Sequence, residues 1–491
     1  MRFCTFMYIN CCNLNPMDLF EPSVYNRRRE TLMHALPDSF ILLLGNDYTP
    51  KNYTDNTFHF RQDSSFLFYG GHALASMAMI IDSASGRSEL FGQELSIDDI
   101  VWTGDQPTLI QLGERIGVDA VRPISELMSV LNTAQNSERR IHYLPVYQGS
   151  GKIKLSEWLG CSIKEMQAGV SEELTRAVVD QRSVKELEEL KEIEDALVIS
   201  KEMHLEVMYE TWNTKTEADL VGSIMQIACS HGVDIAYPPI LTVNGHILHN
   251  HHHHHDLQDG QMVLGDFGAE SSKFYASDIT RTVPVAATFS ETQREIYSIV
   301  LDALETAALG LKPNVPFLEV HMSAARTIAQ GLKDLGLMRG DIEEAIAEGA
   351  HALFFVHGLG HMLGLDVHDM EGLGEANVGY GENYKRSKQF GLKSLRLARE
   401  LEPGFVFTIE PGIYFIPALI DQWQAEKKCE AFINYQRVEK YREFTGIRIE
   451  DNYAITKDGA KLLGPNIPRQ LHEIEFLRAS QLDLQERIRK V

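Results

Sequence analysis

QMVLGDFG (residues 261–268), FYASDITRTVPV (274–285), GFVFTIEPGIYF (404–415) and GIRIEDNYAIT (446–456) are four apolar, β-branched runs. Each carries a carboxylate in an apolar setting: Asp266, Asp278, Glu410 and Glu450. Runs of this kind read as strands, and together they suggest the antiparallel sheet of an α+β domain. An unpaired carboxylate in a core is expensive. One such residue has an ordinary explanation, such as a salt bridge from Asp278 to Arg281 or an exposed strand end. Four in one domain point to something else, because a divalent ion neutralises several acids at once.

HGLGHMLGLDVHD (357–369) adds His357, His361 and His368, interleaved with glycines that allow close backbone approach. A His pair four apart faces one ion on a helix, but the glycines argue against an ideal helix here. A lone histidine is more often a satisfied core residue; the run as a whole is far more specific. Oxygen-rich ligation with one imidazole suits harder ions, Mn²⁺ before Zn²⁺. Two ions sharing carboxylates sit about 3.5–4 Å apart and lower the pKa of a water between them. That is hydrolase chemistry.

Just before the first aspartate, six histidines fall in seven residues, His249 and His251–His255. An affinity tag is normally terminal, whereas this tract is mid-chain. It reads as an exposed loop closed by the turn-like QDGQ (258–261).

A chain of 491 residues suggests two domains, one of them large. A formal charge of −23 argues against a nucleic-acid binder. Six cysteines without a CxxC pair, three of them in the first twelve residues, suggest a reducing compartment. No apolar run approaches the ~20 residues that span a membrane. Residues 1–16 lack the features of a signal peptide and read as a poorly ordered extension, with Met17 an alternative start.

The first part alternates helix and strand. A helix is expected over Pro22–Leu36 and over 105–117, with strands at 39–45, 66–71 (FLFYGG), 77–82 and 140–145. A boundary falls near residue 180. Beyond it, residues 182–210 read as a long amphipathic helix opened by a Ser183/Glu186 capping box. Leu187, Leu190, Ile193 and Leu197 share one face, and the charges form a solvated one. In the last helix, 471–491, Ile474, Leu477, Leu482, Leu484 and Ile488 form a partial stripe that packs on its own domain or on a partner.

The set Asp266, Asp278, His361, Glu410 and Glu450 resembles, in type and order, the dinuclear site of the pita-bread metallopeptidases. These include methionine aminopeptidase, aminopeptidase P and prolidase. FRQDSSFLFYGG (60–71), preceded by the RRRETL helix, resembles the N-terminal domain of aminopeptidase P and prolidase, which methionine aminopeptidase lacks. Creatinase shares the two-domain plan without the metal ligands. The resemblance implies an α/β N-terminal domain (17–180) plus an α+β pita-bread C-terminal catalytic domain (181–491). It implies two divalent metal ions per chain, Mn²⁺ with Zn²⁺ or Co²⁺ as alternatives, and hydrolysis of the bond before proline in short peptides. GLKSLRLARELEPGFVFTIEPGIYFIPALID (391–421) is similar to the prolidase form of this region. Arg396 there matches an arginine associated with the substrate's carboxylate; on composition alone it is one of three basic residues on an exposed segment, with Lys393 and Arg399.

By the same resemblance Glu410 is both ligand and proton acceptor, and His357 and His368 stabilise the oxyanion or assist proton transfer. His249 positions substrate or leaving group, Arg448 orients the carboxylates or binds substrate, and Tyr237 lies on the substrate side. The expected enzyme is an Xaa-Pro dipeptidase, with an Xaa-Pro aminopeptidase as the alternative. It is expected to be a cytoplasmic homodimer with no nucleic-acid or membrane partner. A non-catalytic binding protein of the same fold would have been expected to lose ligands. Metal storage on the His tract is a third class.

Overall fold

In the computed structural model, residues 18–489 are described; the expected extension at 1–16 lies outside them. One compact unit reaches to Arg182 and takes in Met370–Gly374; the other spans Ser183–Asp369 and resumes at Glu375.

The first unit is built on a five-stranded mixed sheet. Its strands are β1 (Phe40–Leu44), β4 (Ala78–Asp82), β5 (Arg87–Gly92), β6 (Ala120–Pro123) and β7 (Ile141–Tyr143), in the order β6-β5-β4-β1-β7. A separate hairpin pairs β2 (Pro50–Tyr53) with β3 (Asn56–Thr57). β1 and β4 are almost wholly buried, as continuous apolar runs require.

FLFYGG, expected as a strand, is instead a helix, Ser64–Gly70. A short apolar run buried on all sides carries no period that separates the two. Its surroundings decide. Asp63 caps the N-terminus, accepting from Phe66 N at 2.9 Å. At the other end Arg28 donates to the Phe68 carbonyl at 3.0 Å and Arg29 to that of Tyr69 at 2.9 Å. Both arginines, from the RRRETL stretch of the first helix, are buried.

The long helix of the second unit starts at Leu187, not Ser183, and runs to Glu210. Ser183 ends the preceding helix, and the reciprocal cap is formed by Glu186 and Glu189. Ile193 and Leu197 are buried, but Leu187 is 81% exposed. The acidic face is not uniformly solvated either. Glu192 is buried against Lys273 at 3.0 Å, and buried Glu189 accepts from the Tyr275 hydroxyl at 3.2 Å.

Three small antiparallel sheets follow rather than one. β8 (Ile240–Thr242), β9 (Met262–Asp266) and β10 (Thr280–Pro284) form the first, in the order β10-β9-β8. β11 (Val406–Ile409) pairs with β14 (Asp451–Ile455), which pairs with β15 (Ala460–Leu462). β12 (Gly412–Tyr414) pairs with β13 (Gly446–Arg448). Two-residue interruptions of the strands, at 410–411 and 449–450, separate β11 from β12 and β13 from β14, so Glu410 and Glu450 both sit where the chain changes sheet. Arg281 does not pair with Asp278; it donates to Asp451 at 2.7 Å. The first part of the last helix, Leu471–Arg489, packs on its own unit: Ile474 is buried, and Arg478 donates to the Val285 carbonyl at 2.8 Å; the side chains of Leu482, Leu484 and Ile488 lie outside those described.

His204, on the long helix, stacks on Phe267 with centroids 4.0 Å apart and meets that residue's carbonyl at 3.1 Å. Burial pushes its pKa down to about 3. The unfolded chain therefore binds the extra proton below pH ~6.5 while the folded chain does not, so this site's stability falls as pH falls. Relative to a His204→Phe variant, the wild type should lose about 2 kcal/mol between pH 7 and pH 5. Urea unfolding of both proteins at the two pH values measures this; a pH-independent difference would contradict it.

Candidate metal centre

Asp266 closes β9, and the β9–β10 register pairs it with Thr280, two residues after Asp278. The two aspartates therefore meet. The Tyr237 hydroxyl lies between them, 2.6 Å from Asp266 Oδ1 and in contact with Asp278 Oδ1. A hydroxyl has one proton to give, so this triangle balances only when a proton or a cation takes up the remaining charge. Glu450 is drawn in by β10: its amide donates to the Thr280 carbonyl at 3.0 Å, and its Oε2 accepts the Thr280 hydroxyl at 2.6 Å. Its Oε1 is buried with no hydrogen-bond partner among the described residues.

His361 completes the group. Its Nδ1 lies 3.0 Å from the Met362 carbonyl. A carbonyl only accepts, so Nδ1 carries a proton, and the neutral ring presents a lone pair at Nε2. That lone pair is 3.3 Å from Asp278 Oδ2 and 3.6 Å from Glu410 Oε1. Acceptors facing each other across such a gap need a cation between them. Donor atoms of Asp278, His361 and Glu450 all lie within 4.8 Å of one another. The residues present thus fit a divalent ion.

The electrostatics agree. Burial pushes the Asp266, Asp278 and Glu450 carboxyls up, and repulsion from neighbouring acids adds to it at Asp266 and Glu450; burial, with repulsion from both aspartates, pushes Glu410 up to about 8. Arg448 opposes this. It is buried, contacts Asp266 Oδ2, and donates to Thr280 Oγ1 at 3.1 Å and to the Tyr414 hydroxyl at 2.8 Å. Tyr414 in turn lies 2.8 Å from His357 Nε2, whose other nitrogen meets the Gly358 carbonyl at 2.8 Å. Burial holds His357 neutral, its pKa pushed down to about 3.

His368 lies edge-on to His361 with centroids 4.2 Å apart. Arg396 and His249 reach the same space from other segments. All eleven residues singled out in the sequence line one cavity of about 260 Å³. Thr280 and Tyr414 were not singled out. Thr280 lies two residues beyond Asp278, and Tyr414 four beyond Glu410; even spacing on a strand was the available signal. The segment 357–369 is not a helix but a loop held from behind. Lys185 and Asp369 form an ion pair of 2.8 Å with both side chains 1% exposed, and Asp369 N donates to the Met362 carbonyl at 2.9 Å.

Residues 191–457 match the model of metallopeptidase family M24, and residues 25–142 that of the aminopeptidase P N-terminal domain. The chain is 33% identical over 450 residues to Xaa-Pro dipeptidase of Mus musculus, covering 90% of this chain and 89% of that one. It is 32% identical over 473 residues to Xaa-Pro aminopeptidase of Escherichia coli (strain K12), covering 92% and 97%. A solved structure of aminopeptidase P from E. coli, in a low-pH form, superposes with a TM-score of 0.78 at 30% identity, covering 94% of this chain and 99% of that one.

Two outcomes are expected. Mn²⁺ should raise the unfolding temperature of chelator-stripped protein as its concentration rises, and Asp278→Asn with Glu450→Gln should abolish that rise; thermal scans with and without Mn²⁺ read both. Lys185→Met should cost about 3–5 kcal/mol in urea unfolding, because it leaves Asp369 buried without its ammonium partner. The double variant Lys185→Met/Asp369→Leu should recover part of that loss.

Proposed function

The chain belongs to metallopeptidase family M24, and on that premise we propose that it is an Xaa-Pro dipeptidase that works with two Mn²⁺ ions. Asp266, Asp278, His361, Glu410 and Glu450 hold the ions, which when bound polarise the scissile carbonyl and acidify water. Glu410 takes the proton of the attacking water. It is the most accessible of three acids compared, its side chain 17% exposed against 11% for Asp266 and 6% for Asp278. His357 and His368 stabilise the developing oxyanion or pass the proton to the leaving proline nitrogen. His249 positions the leaving group. Tyr237 and Arg448 keep the carboxylates aligned from beneath, as their hydrogen bonds to Asp266 support.

Arg396 carries the dipeptidase reading. A guanidinium binds a carboxylate bidentately, and Arg396 lines the same cavity as the metal-site carboxylates. A substrate that spans from the metal-site residues to Arg396 inside about 260 Å³ is short. The likeness to E. coli aminopeptidase P, at 99% coverage of that chain, favours a second reading, an Xaa-Pro aminopeptidase acting on longer peptides. A cytoplasmic site is the reading that six cysteines without a CxxC pair support. Among the described residues no helix is long and apolar enough to cross a membrane. A homodimer is the assembly proposed, on the resemblance alone.

Protein purified without nickel, stripped and reloaded with Mn²⁺ should cleave Ala-Pro and leave Ala-Pro-Ala intact. Arg396→Met should raise the KM for Ala-Pro about 10–100-fold, the loss of a charged hydrogen-bonded contact, with a smaller effect on kcat. Efficient release of Ala from Ala-Pro-Ala would establish the aminopeptidase instead. Cleavage of neither peptide by metal-loaded protein would overturn both.

A further inference from the structure

The proposed reaction leaves most of the histidine tract unused. Its side chains alternate. His253 and His255 are half-buried, whereas His252 and His254 are exposed. The inward face is spent on anchoring. His253 Nδ1 lies 3.1 Å from the Leu241 carbonyl. His255 meets the buried Glu217 carboxylate through Nδ1 at 3.0 Å and through its amide at 3.2 Å, and its Nε2 faces Asn244 Nδ2 at 3.2 Å. Asn250 pins the start of the segment, donating to Thr242 Oγ1 at 3.0 Å and accepting from His252 N at 3.1 Å.

The outward face is therefore presented on a fixed backbone. Among the described residues the aromatic ring pairs of His252 and His254 are with other histidines. Their centroids are 6.3 Å apart, and His254 rests on the anchored His255 at 4.2 Å. A nitrogen holds Zn²⁺ at about 2.0–2.1 Å, so each ring centroid lies roughly 3 Å from the ion, and two rings sharing it stand up to roughly 6 Å apart. The observed separation lies just beyond that limit, and rotation of the two exposed side chains would bring the rings to the roughly 5 Å that a tetrahedral ion sets. His251, the residue before this pair, lines the catalytic cavity.

We propose that His252 and His254 form a second cation site, on the rim of the catalytic cavity, for a divalent transition ion that favours imidazole: Ni²⁺, Zn²⁺ or Cu²⁺. The two sites differ in donor chemistry. The inner one is rich in carboxylate oxygen and suits Mn²⁺; the rim offers only imidazole nitrogen from the protein and discriminates against Mn²⁺. Because Ni²⁺ outranks Mn²⁺ at nitrogen and oxygen sites alike, rim occupancy is read as the nickel bound in excess of the manganese released.

The test uses the full chain loaded with Mn²⁺, dialysed to equilibrium against low-micromolar Ni²⁺, with both metals measured by elemental analysis. Wild type should take up one more Ni²⁺ per chain than the Mn²⁺ it releases. His252→Ala/His254→Ala should lose one Ni²⁺ per chain with Mn²⁺ content unchanged, and His251→Ala/His253→Ala should retain that ion. The proposal is overturned if the first variant binds as much Ni²⁺ as wild type, or if the second loses the ion. It is also overturned if Ni²⁺ uptake is matched by equal Mn²⁺ loss, which places the nickel in the inner site. Because the readout is metal content, the result does not depend on which peptide the enzyme cleaves.

Discussion

A lone pair on His361 Nε2 facing carboxylate oxygens of Asp278 and Glu410 is the constraint around which the second unit is organised. Without a cation the arrangement is repulsive. Two further acids, Asp266 and Glu450, crowd the same space, and Arg448 on Asp266 is the guanidinium in direct contact with the group. The fold holds this arrangement in place by fixing each acid from behind. Tyr237, Thr280 and Arg448 occupy outer positions of the carboxylates with hydrogen bonds, so the remaining lone pairs converge on one another. Glu450 Oε1, buried with no hydrogen-bond partner among the described residues, is the residue of that arrangement: its partner is meant to be an ion.

The acids themselves were legible because carboxylates in apolar strands violate a strong rule, and a violation repeated across four segments has a common physical cause. What surrounds them was not. Thr280 and Tyr414 obey the ordinary composition of strands, so nothing distinguishes them until pairing shows which face they share with Asp278 and Glu410. Lys185 and Asp369 lie far apart in sequence and are each unremarkable there; only their mutual burial reveals a clamp.

The errors have the same origin. FLFYGG has strand-like composition, and its helix depends on Arg28 and Arg29 reaching its last carbonyls from an earlier helix. Glu189 and Glu192 look like solvent-facing charges because their partners, Tyr275 and Lys273, come from a loop some eighty residues on. Local propensity is a weak prior when a segment's polar groups are satisfied from outside it. The Ser183/Glu186 capping pattern failed for a narrower reason: a second pair, Glu186 with Glu189, competed for the same helix start and won.

Bringing acids from distant strands into one small volume also demands that backbones touch. A Cβ on Gly268 would lie 1.9 Å from the Ser277 carbonyl oxygen, and one on Gly360 would lie 2.0 Å from that of Thr408. Both contacts are backbone to backbone, so no rotamer change relieves them. Gly268 sits two residues after Asp266 and faces the residue before Asp278; Gly360 precedes His361 and faces β11, which ends one residue before Glu410. His361 and Thr408 are joined there by a hydrogen bond of 3.0 Å, and Met362 bridges Phe407. A methyl group at either glycine would thus separate the two ligand-bearing segments of a pair, not merely crowd a core. The glycines set the spacing of the ligands as directly as the hydrogen bonds set their orientation, which is why the glycine-rich HGLGH run and the GDFG turn accompany the acids.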